Sequence, residues 1–414
     1  MRLALALLLI TGCNCGERIV TDASMDAATD APDAMDATPD VVVDTSLDGG
    51  DVDSSDGDVP DVDAAVPCTF APTGTPQLIT TGTSDSKHPD LEANGSTIAL
   101  AWSDDRVGVN RHEIYFTHLD PSTGARTIDE VRITTDASTD RYADLVAAGD
   151  TFGLVWRRLN DPFFAQIARD GAVRVVPTMF TTMTSLPGLT WTGTEFVVCA
   201  GDFSSLPATM RVARLSAVGA PVGGFTDLAT DASPTINCTA TWDGDEVAVF
   251  FNRDADVAHV RADAAGALVP GSESTVGTSP RIVNDIKSEW TGSVHGVAWR
   301  EQGPEGAAVA FQVSSRDGAP MGPPFRVTTA RSNEIGLTWT GTEFAVAWQD
   351  SLTVFIHRIS ATGEPIDFPI TVATTSSSGV QYDHADVIWT GAAHLVVWKD
   401  GPHLYGQVVE CVPD

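Results

Sequence analysis

Short runs in which large hydrophobic residues alternate with small or polar ones recur along most of the chain after residue 68. One clear unit has candidate strands at residues 335–339, 343–348, 354–359 and 369–373, with a tight turn at 340–342. Its second strand alternates three large residues with two alanines, in the order Phe344, Ala345, Val346, Ala347, Trp348. Both faces of such a strand are apolar, and both must be covered. The pattern therefore predicts an all-β fold of sheets stacked face to face.

The same unit occurs seven times, with a glycine in the turn between its first two strands. These turn glycines are Gly95, Gly149, Gly193, Gly244, Gly292, Gly341 and Gly391. Six copies place an aromatic residue seven positions after the glycine, at Trp102, Trp156, Phe251, Trp299, Trp348 and Trp398, and the third copy has Ala200 there. Strand repeats of about fifty residues are the sequence signature of a β-propeller. We predict a seven-bladed β-propeller of four-stranded antiparallel blades over residues 68–414, with these aromatic residues between the blades.

The last copy supplies only three strands, and residues 76–81 resemble the missing fourth one. We therefore predict that an N-terminal strand completes the last blade and closes the ring. This closure places Cys68 near Cys411, and a disulfide between them stabilises the fold by roughly 5 kcal/mol as an upper bound. Cys199 and Cys238 form a second candidate disulfide, between neighbouring blades.

The N-terminus predicts export. Met1 and Arg2 precede an apolar run of eight residues, which is shorter than the roughly twenty that a membrane span needs, so residues 1–12 are interpreted as a signal peptide. The sequence Ile10-Thr11-Gly12-Cys13 resembles the bacterial lipobox, which implies cleavage before Cys13 and lipidation of its sulfur. Residues 13–67 are rich in Asp and Ala and contain several Pro and Gly, which predicts a disordered tether.

The formal net charge of the chain is −32 at pH 7. Nucleic acid is therefore excluded as a partner, because binding its phosphates depends on basic side chains that release counterions. The membrane is expected to be contacted through the lipid anchor alone.

Aligning the first strands of the seven copies singles out polar residues in copies 7, 1 and 2, which are contiguous once the ring closes. Five residues before the turn glycine these copies have Asp386, Asp90 and Asp144, and seven residues before it they have His384, His88 and Tyr142. First strands line the channel of a propeller, so the six side chains are expected near its mouth. The carboxylates suit Ca²⁺, and a transition metal is favoured if the imidazoles also reach it. Alternatively, each Asp caps a turn within its own blade and the coincidence reflects repeat ancestry.

No catalytic motif occurs: the chain has no His-Glu-x-x-His, no Gly-x-Ser-x-Gly and no phosphate-binding glycine loop. We therefore assign no catalytic residue. The longer connections emerge at one end of the ring, and loops on a rigid scaffold carry function, so this end is the expected binding face. The sequence favours a module that binds a protein or glycan ligand on the cell surface. The alternative is an envelope polysaccharide hydrolase or lyase with its site at the channel mouth.

The lipobox, the Asp/Ala-rich spacer and repeats such as Leu337-Thr338-Trp339-Thr340-Gly341-Thr342-Glu343-Phe344-Ala345-Val346-Ala347-Trp348 look like the uncharacterised propeller lipoproteins of myxobacteria. The resemblance covers essentially the whole chain and implies a lipid-anchored propeller in the cell envelope. Asn14 follows Cys13, whereas Asp at that position favours retention in the inner membrane, so the outer membrane is the expected location. The resemblance implies no activity, because a fold does not confer a function.

Overall fold

The computed structural model describes residues 68–413, except for residues 83, 181–184, 205–206, 233–236, 304–305, 330–331, 333 and 377–383. The predicted signal peptide, Cys13 and the tether lie outside the described residues. The described chain is all-β and forms seven four-stranded antiparallel sheets, arranged as blades in a ring. The predicted seven-bladed β-propeller is confirmed. Across the described ranges, no helix is long and apolar enough to cross a membrane.

Blades 1 to 3 follow the order of the chain. Blade 1 contains β2 (Ser86–Asn94), β3 (Thr97–Asp104), β4 (Glu113–Leu119) and β5 (Val131–Arg132). Blade 2 contains β6 (Asp140–Ala148), β7 (Thr151–Arg158), β8 (Asp161–Ala168) and β9 (Val173–Met179). Blade 3 contains β10 (Gly188–Trp191), β11 (Glu195–Asp202), β12 (Ala208–Ser216) and β13 (Pro221–Ala232).

Blades 4 to 6 repeat this meander. Blade 4 contains β14 (Cys238–Trp242), β15 (Glu246–Arg253), β16 (Asp256–Asp263) and β17 (Ser274–Thr278). Blade 5 contains β18 (Ile282–Trp290), β19 (Val294–Gly303), β20 (Gly306–Ser315) and β21 (Phe325–Thr328). Blade 6 contains β22 (Ile335–Trp339), β23 (Glu343–Asp350), β24 (Thr353–Ser360) and β25 (Ile370–Thr374).

Blade 7 joins the two ends of the described chain. It contains β26 (Ala385–Trp389), β27 (His394–Asp400), β28 (His403–Pro413) and the N-terminal strand β1 (Cys68–Leu78). The N-terminal strand therefore completes the last blade, as predicted. It lies earlier in the chain than residues 76–81, because β28 extends to Pro413 and pairs with β1 from Cys68 onward.

Two disulfides link strands that are distant in the chain. Cys68 and Cys411 join β1 to β28, with their Cα atoms 5.4 Å apart. Cys199 and Cys238 join blade 3 to blade 4, with their Cα atoms 6.3 Å apart. The first disulfide fixes the strand pair that closes the ring, and the second ties two neighbouring blades together.

Seven hydrophobic clusters hold the ring together, each between two neighbouring blades. In blade 6, the large residues of β23, such as Trp348, pack toward blade 5, and its alanines face blade 7. The repeated aromatic residues are at most 2% exposed. Between blades 2 and 3, where the repeat has Ala200, the hydrophobic cluster contains Phe164 and Phe196. The two apolar faces predicted from the sequence are therefore the two inter-blade contacts.

The glycine of each repeat has a conformational cause. All seven turn glycines have a positive φ, between 62° and 101°. Residues with a side chain adopt this region at a cost that glycine avoids. The tight turn between the two innermost strands of each blade therefore explains why glycine recurs in every copy.

Candidate functional site

The innermost strands line the central channel, and two levels of side chains shape its mouth. The upper level, called the mouth ring, consists of the residues seven positions before the turn glycines: His88, Tyr142, Leu186, Asn237, Asp285, Glu334 and His384. The lower level, called the channel ring, consists of the residues five positions before them: Asp90, Asp144, Gly188, Thr239, Lys287, Gly336 and Asp386. A cavity of about 510 Å³, the mouth cavity, opens at the mouth ring, and a second of about 340 Å³ continues along the channel.

Three members of the mouth ring have an unusual backbone conformation. His88, Tyr142 and Asp285 have φ angles of 54°, 60° and 46°. At each of them the innermost strand carries an irregularity that shifts its register against the next strand. A residue with a side chain in this region costs of order 1–3 kcal/mol, and bulges of this kind often redirect a side chain near a functional site. All three residues line the mouth cavity, so this backbone strain lies where a ligand has access.

Two predicted ligands, His88 and His384, meet Glu334 in the mouth ring. Nδ1 of His384 lies 2.6 Å from Oε2 of Glu334, and Nδ1 of His88 contacts Oε1 of the same carboxylate. The centroids of the two imidazole rings are 4.6 Å apart. One potential ligand atom from each of the three residues lies within 4.8 Å of the other two. Blades 1 and 7 and the segment leading into blade 6 thus converge on one cluster of metal-binding groups.

The environment of this cluster fixes its charge. Burial lowers the pKa of His88 to about 4, although the charge of Glu334 opposes the shift. Burial acts to raise the pKa of Glu334, but His384 and His88 outweigh it and hold that pKa well below its ordinary range. At pH 7 the carboxylate is therefore ionised and His88 is neutral. Both groups are then in the forms that coordinate metal ions.

The three predicted carboxylates do not join this cluster and instead link neighbouring blades. The backbone N–H groups of Leu91, Leu145 and Leu189 donate hydrogen bonds of 2.7, 2.7 and 2.6 Å to Asp386, Asp90 and Asp144, respectively. Each Asp therefore binds the innermost strand of the next blade. Asp386 also accepts a hydrogen bond from the N–H of Val387 in its own blade. The structure thus separates the six predicted side chains into a histidine pair, an aspartate series and Tyr142.

Lys287 of blade 5 provides positive charge for these aspartates across the channel. Its Nζ lies 3.1 Å from Oδ1 of Asp90. Burial acts to lower the pKa of Lys287, but the charges of Asp90, Asp386 and Asp144 outweigh it and raise that pKa well above its usual value. Burial, followed by the charge of Asp90, raises the pKa of Asp144 to about 8, and burial raises that of Asp386 to about 7. An ammonium group therefore stands where the sequence suggested Ca²⁺.

Two arginines of blade 2 occupy paired backbone positions near the mouth, and Arg157 lines the mouth cavity. Arg141 and Arg157 are opposite each other on β6 and β7. The guanidinium of Arg157 lies over the ring of Tyr142, 5.0 Å from its centroid, and Nη2 of Arg141 lies 2.9 Å from Nδ1 of His112. Within the part of the chain that the structure describes, neither arginine pairs with a carboxylate, whereas the adjacent Arg158 binds Asp140 at 2.7 Å. Like charges directly opposite each other on paired strands are destabilising.

Glu334, Lys287, Arg141 and Arg157 are site residues that the sequence did not single out. Glu334 stands at the aligned position of His88, and Lys287 stands at that of Asp90. The signal available in the sequence was therefore the aligned position of each residue. A search for positions that share one residue type misses Glu334 and Lys287, because the residue types at these positions differ between the copies. In the sequence Arg141 and Arg157 look like ordinary members of a charged rim, because only the structure shows that no carboxylate among the described residues pairs with them.

No family model matches the chain, and no curated protein matches it. Solved structures do match, among them Raptor from Chaetomium thermophilum, with a TM-score of 0.56 and 14% identity over 83% of this chain. The chain corresponds to 30% of the Raptor chain. An oligogalacturonate lyase in complex with manganese has a TM-score of 0.49 at 12% identity, covering 83% of this chain and 97% of the lyase. The polysaccharide lyase Uly1 has a TM-score of 0.48 at 10% identity, covering 78% of this chain and 90% of the lyase. At 14% identity the match with Raptor shows a shared fold alone.

Proposed function

We propose that this protein is a binding module whose mouth cavity holds an acidic glycan through a carboxylate of the sugar. The observation that carries the proposal is the pair Arg141 and Arg157, which face each other without an acidic partner among the described residues. The chain has a net charge of −32, so acidic side chains are abundant. An anionic ligand would supply the negative charge that these two arginines lack among the described residues.

The chemistry of the cavity suits this ligand. A guanidinium binds a carboxylate through two parallel hydrogen bonds, which fixes both its position and its orientation. Arg157 lines the cavity together with Tyr142 and Phe203, so a cationic group stands beside two aromatic side chains. Ligand sites commonly combine apolar walls with a few polar groups in this way. A cavity of about 510 Å³ accommodates a short glycan segment rather than a folded protein.

The test is a comparison of alginate, a polymer of uronates, with neutral dextran by isothermal titration calorimetry. We expect wild type to bind alginate and Arg157→Ala to bind it about tenfold more weakly or worse, because a hydrogen bond to a charged group contributes about 1.5–3 kcal/mol. Arg174→Ala is the matched control, since Arg174 also belongs to blade 2 but pairs with Asp150 and is about half exposed. Equal affinity of wild type and Arg157→Ala for alginate would contradict the proposal.

A polysaccharide lyase is the second candidate function, and Tyr142 favours it. Its phenol ring lies beneath Arg157 and 4.1 Å from the ring of His88, measured between centroids. A lyase needs a cation to neutralise the uronate carboxylate and a nearby base to remove the adjacent proton, and these residues offer both. The same alginate samples distinguish the two functions. Unsaturated products that absorb in the ultraviolet, and that are absent with Tyr142→Phe, would establish the lyase. Binding of alginate in calorimetry, with the polymer left intact, would establish binding alone.

We further propose that Cys13 carries a lipid that anchors the protein in the cell envelope, at the outer membrane. The lipobox resemblance of residues 10–13 supports this. In cells that express the full chain, wild type is expected in the membrane fraction and Cys13→Ser in the soluble fraction. Cys15→Ser is the matched control and should stay with the membrane, because only the cysteine at the cleavage site is lipidated. Membrane retention of Cys13→Ser would refute the anchor.

A further inference from the structure

A second site in the mouth cavity is built from His88, Glu334 and His384 and includes neither of the two arginines. The three side chains come from different parts of the ring, at blade 1, before blade 6 and at blade 7, so their meeting depends on the closed propeller. His384 is 1% exposed and His88 is 8% exposed. The cluster is thus set into the wall of the cavity and presents three potential ligand atoms within 4.8 Å of one another.

Two imidazole nitrogens and a carboxylate oxygen form a donor set typical of divalent transition metals. Zn²⁺ in catalytic sites is commonly held by three such protein ligands, and its fourth position stays open. Ca²⁺ and Mg²⁺ prefer oxygen ligands, so two nitrogen donors argue against them. All three residues line the mouth cavity, so an ion held by them would face the cavity with its open position.

Further charged groups of the mouth ring and the channel ring lie near this cluster. Asp285, the next acidic member of the mouth ring, is close enough for the charge of Glu334 to act on it. Asp285 is held by a 2.9 Å hydrogen bond from the N–H of Ile335, the residue that follows Glu334. Two carboxylates thus share one side of the cavity at the start of β22. The charges of Lys287 and Arg300 act on Asp285 in the opposite sense to that of Glu334, so the case for a metal ion rests on the geometry of the three ligand atoms.

The alternative is an ion-free bridge in which both histidines donate their Nδ1 protons to Glu334. That bridge accounts for the contacts of Glu334 with the two histidines, but it leaves unused the open side that the three ligand atoms present to the mouth cavity. We propose that His88, His384 and Glu334 bind one divalent transition metal ion, with Zn²⁺ as the reference ion.

The test is Zn²⁺ binding to the full chain, stripped of metal and purified in detergent, without any glycan present. Calorimetry and metal analysis are expected to show one more Zn²⁺ per chain in wild type than in Glu334→Gln or His384→Ala. The melting temperature should rise with Zn²⁺ in wild type but not in these variants. Asp90→Asn is the matched control and should keep the ion, because Asp90 is bound to Leu145 and Lys287 outside the cluster. Cys15 is present in every variant, so Zn²⁺ bound by its thiol cancels in the comparison.

Equal Zn²⁺ uptake by wild type and Glu334→Gln would overturn the site, as would loss of the ion in Asp90→Asn alone. Glu334→Gln keeps the size of the side chain, and it therefore decides the question if His384→Ala fails to fold. The metal site does not rest on the proposed glycan binding. Failure of Zn²⁺ binding leaves the alginate result with Arg157→Ala unaffected, and failure of alginate binding leaves the Zn²⁺ result unaffected.

Discussion

Replacing both Cys68 and Cys411 by alanine is expected to lower the free energy of unfolding by up to about 5 kcal/mol. The two residues are separated by 343 positions, so their disulfide closes nearly the whole propeller into one loop. A crosslink of that length removes much of the conformational entropy of the unfolded chain. Without it, β1 is held in blade 7 by its pairing with β28 and by the packing of Phe70 against the core between blades 6 and 7. Urea denaturation of wild type and the double variant measures the difference.

The double variant Cys199→Ala/Cys238→Ala is the matched control. Its disulfide spans 39 positions, and the same loop-entropy argument gives about 4 kcal/mol. Limited proteolysis separates the two effects: loss of the Cys68–Cys411 disulfide should expose the segment between Leu78 and Ser86, and loss of the other disulfide should leave it protected. An unchanged urea midpoint in Cys68→Ala/Cys411→Ala would refute the role of this disulfide in ring closure.

Replacing Lys287 by methionine is expected to destabilise the propeller by about 2 kcal/mol at pH 8. The substitution leaves Asp90, Asp144 and Asp386 facing one another without a cation, and removing one partner of a buried ion pair costs about 3–5 kcal/mol. The smaller value is expected here because 31% of the Lys287 side chain is exposed to the channel. Thermal or urea unfolding measures the loss of stability.

This loss should shrink at low pH, and the sign follows from the carboxyl pKa values. Asp386 has a pKa of about 7 in the folded protein and an ordinary value of 3.8. Between these values the folded state holds a proton that the unfolded state lacks, so stability from this group falls as the pH rises. Lys287 acts to lower the folded pKa values of Asp144 and Asp386, so its removal raises both further. The difference between wild type and Lys287→Met should therefore be small at pH 5 and grow toward pH 8.

Lys399→Met is the matched control for this experiment. Lys399 binds Asp85 at 2.9 Å, but Lys87 binds the same carboxylate at 2.6 Å and remains in the variant. The same substitution should therefore have a small effect that changes little between pH 5 and pH 8. If Lys399→Met were as destabilising as Lys287→Met, or if the effect of Lys287→Met did not grow with pH, the role of Lys287 as counter-ion would be wrong.

The fold could be predicted from the sequence because each blade is encoded locally. The alternation of large and small residues in 343–348 specifies a strand with two apolar faces, and Gly341 specifies the turn before it. When seven blades with this pattern are arranged in a ring, both apolar faces of every blade are covered by its neighbours. The position of β1 was predicted less well, because residues 68–75 carry no repeat pattern and are held in place by their pairing with β28.

The candidate site could be predicted only in part. The sequence placed His88, His384, Tyr142 and the three aspartates in the innermost strands, where the structure has them. It gave no information on which of them meet, because contacts across the channel join residues far apart in the chain. Lys287 and Asp90 are separated by 197 positions, and Glu334 and His88 by 246.

The sequence by itself determined the blades, their number and the end of the ring at which polar residues collect, because these follow from short-range periodicity repeated seven times. Only the tertiary structure decided the chemistry of the mouth. The left-handed backbone at His88, Tyr142 and Asp285 turns these side chains into the mouth cavity. Ring closure then brings Glu334 to the histidines and Lys287 to the aspartates. Both effects depend on the packing of whole blades, which no local pattern of residues encodes.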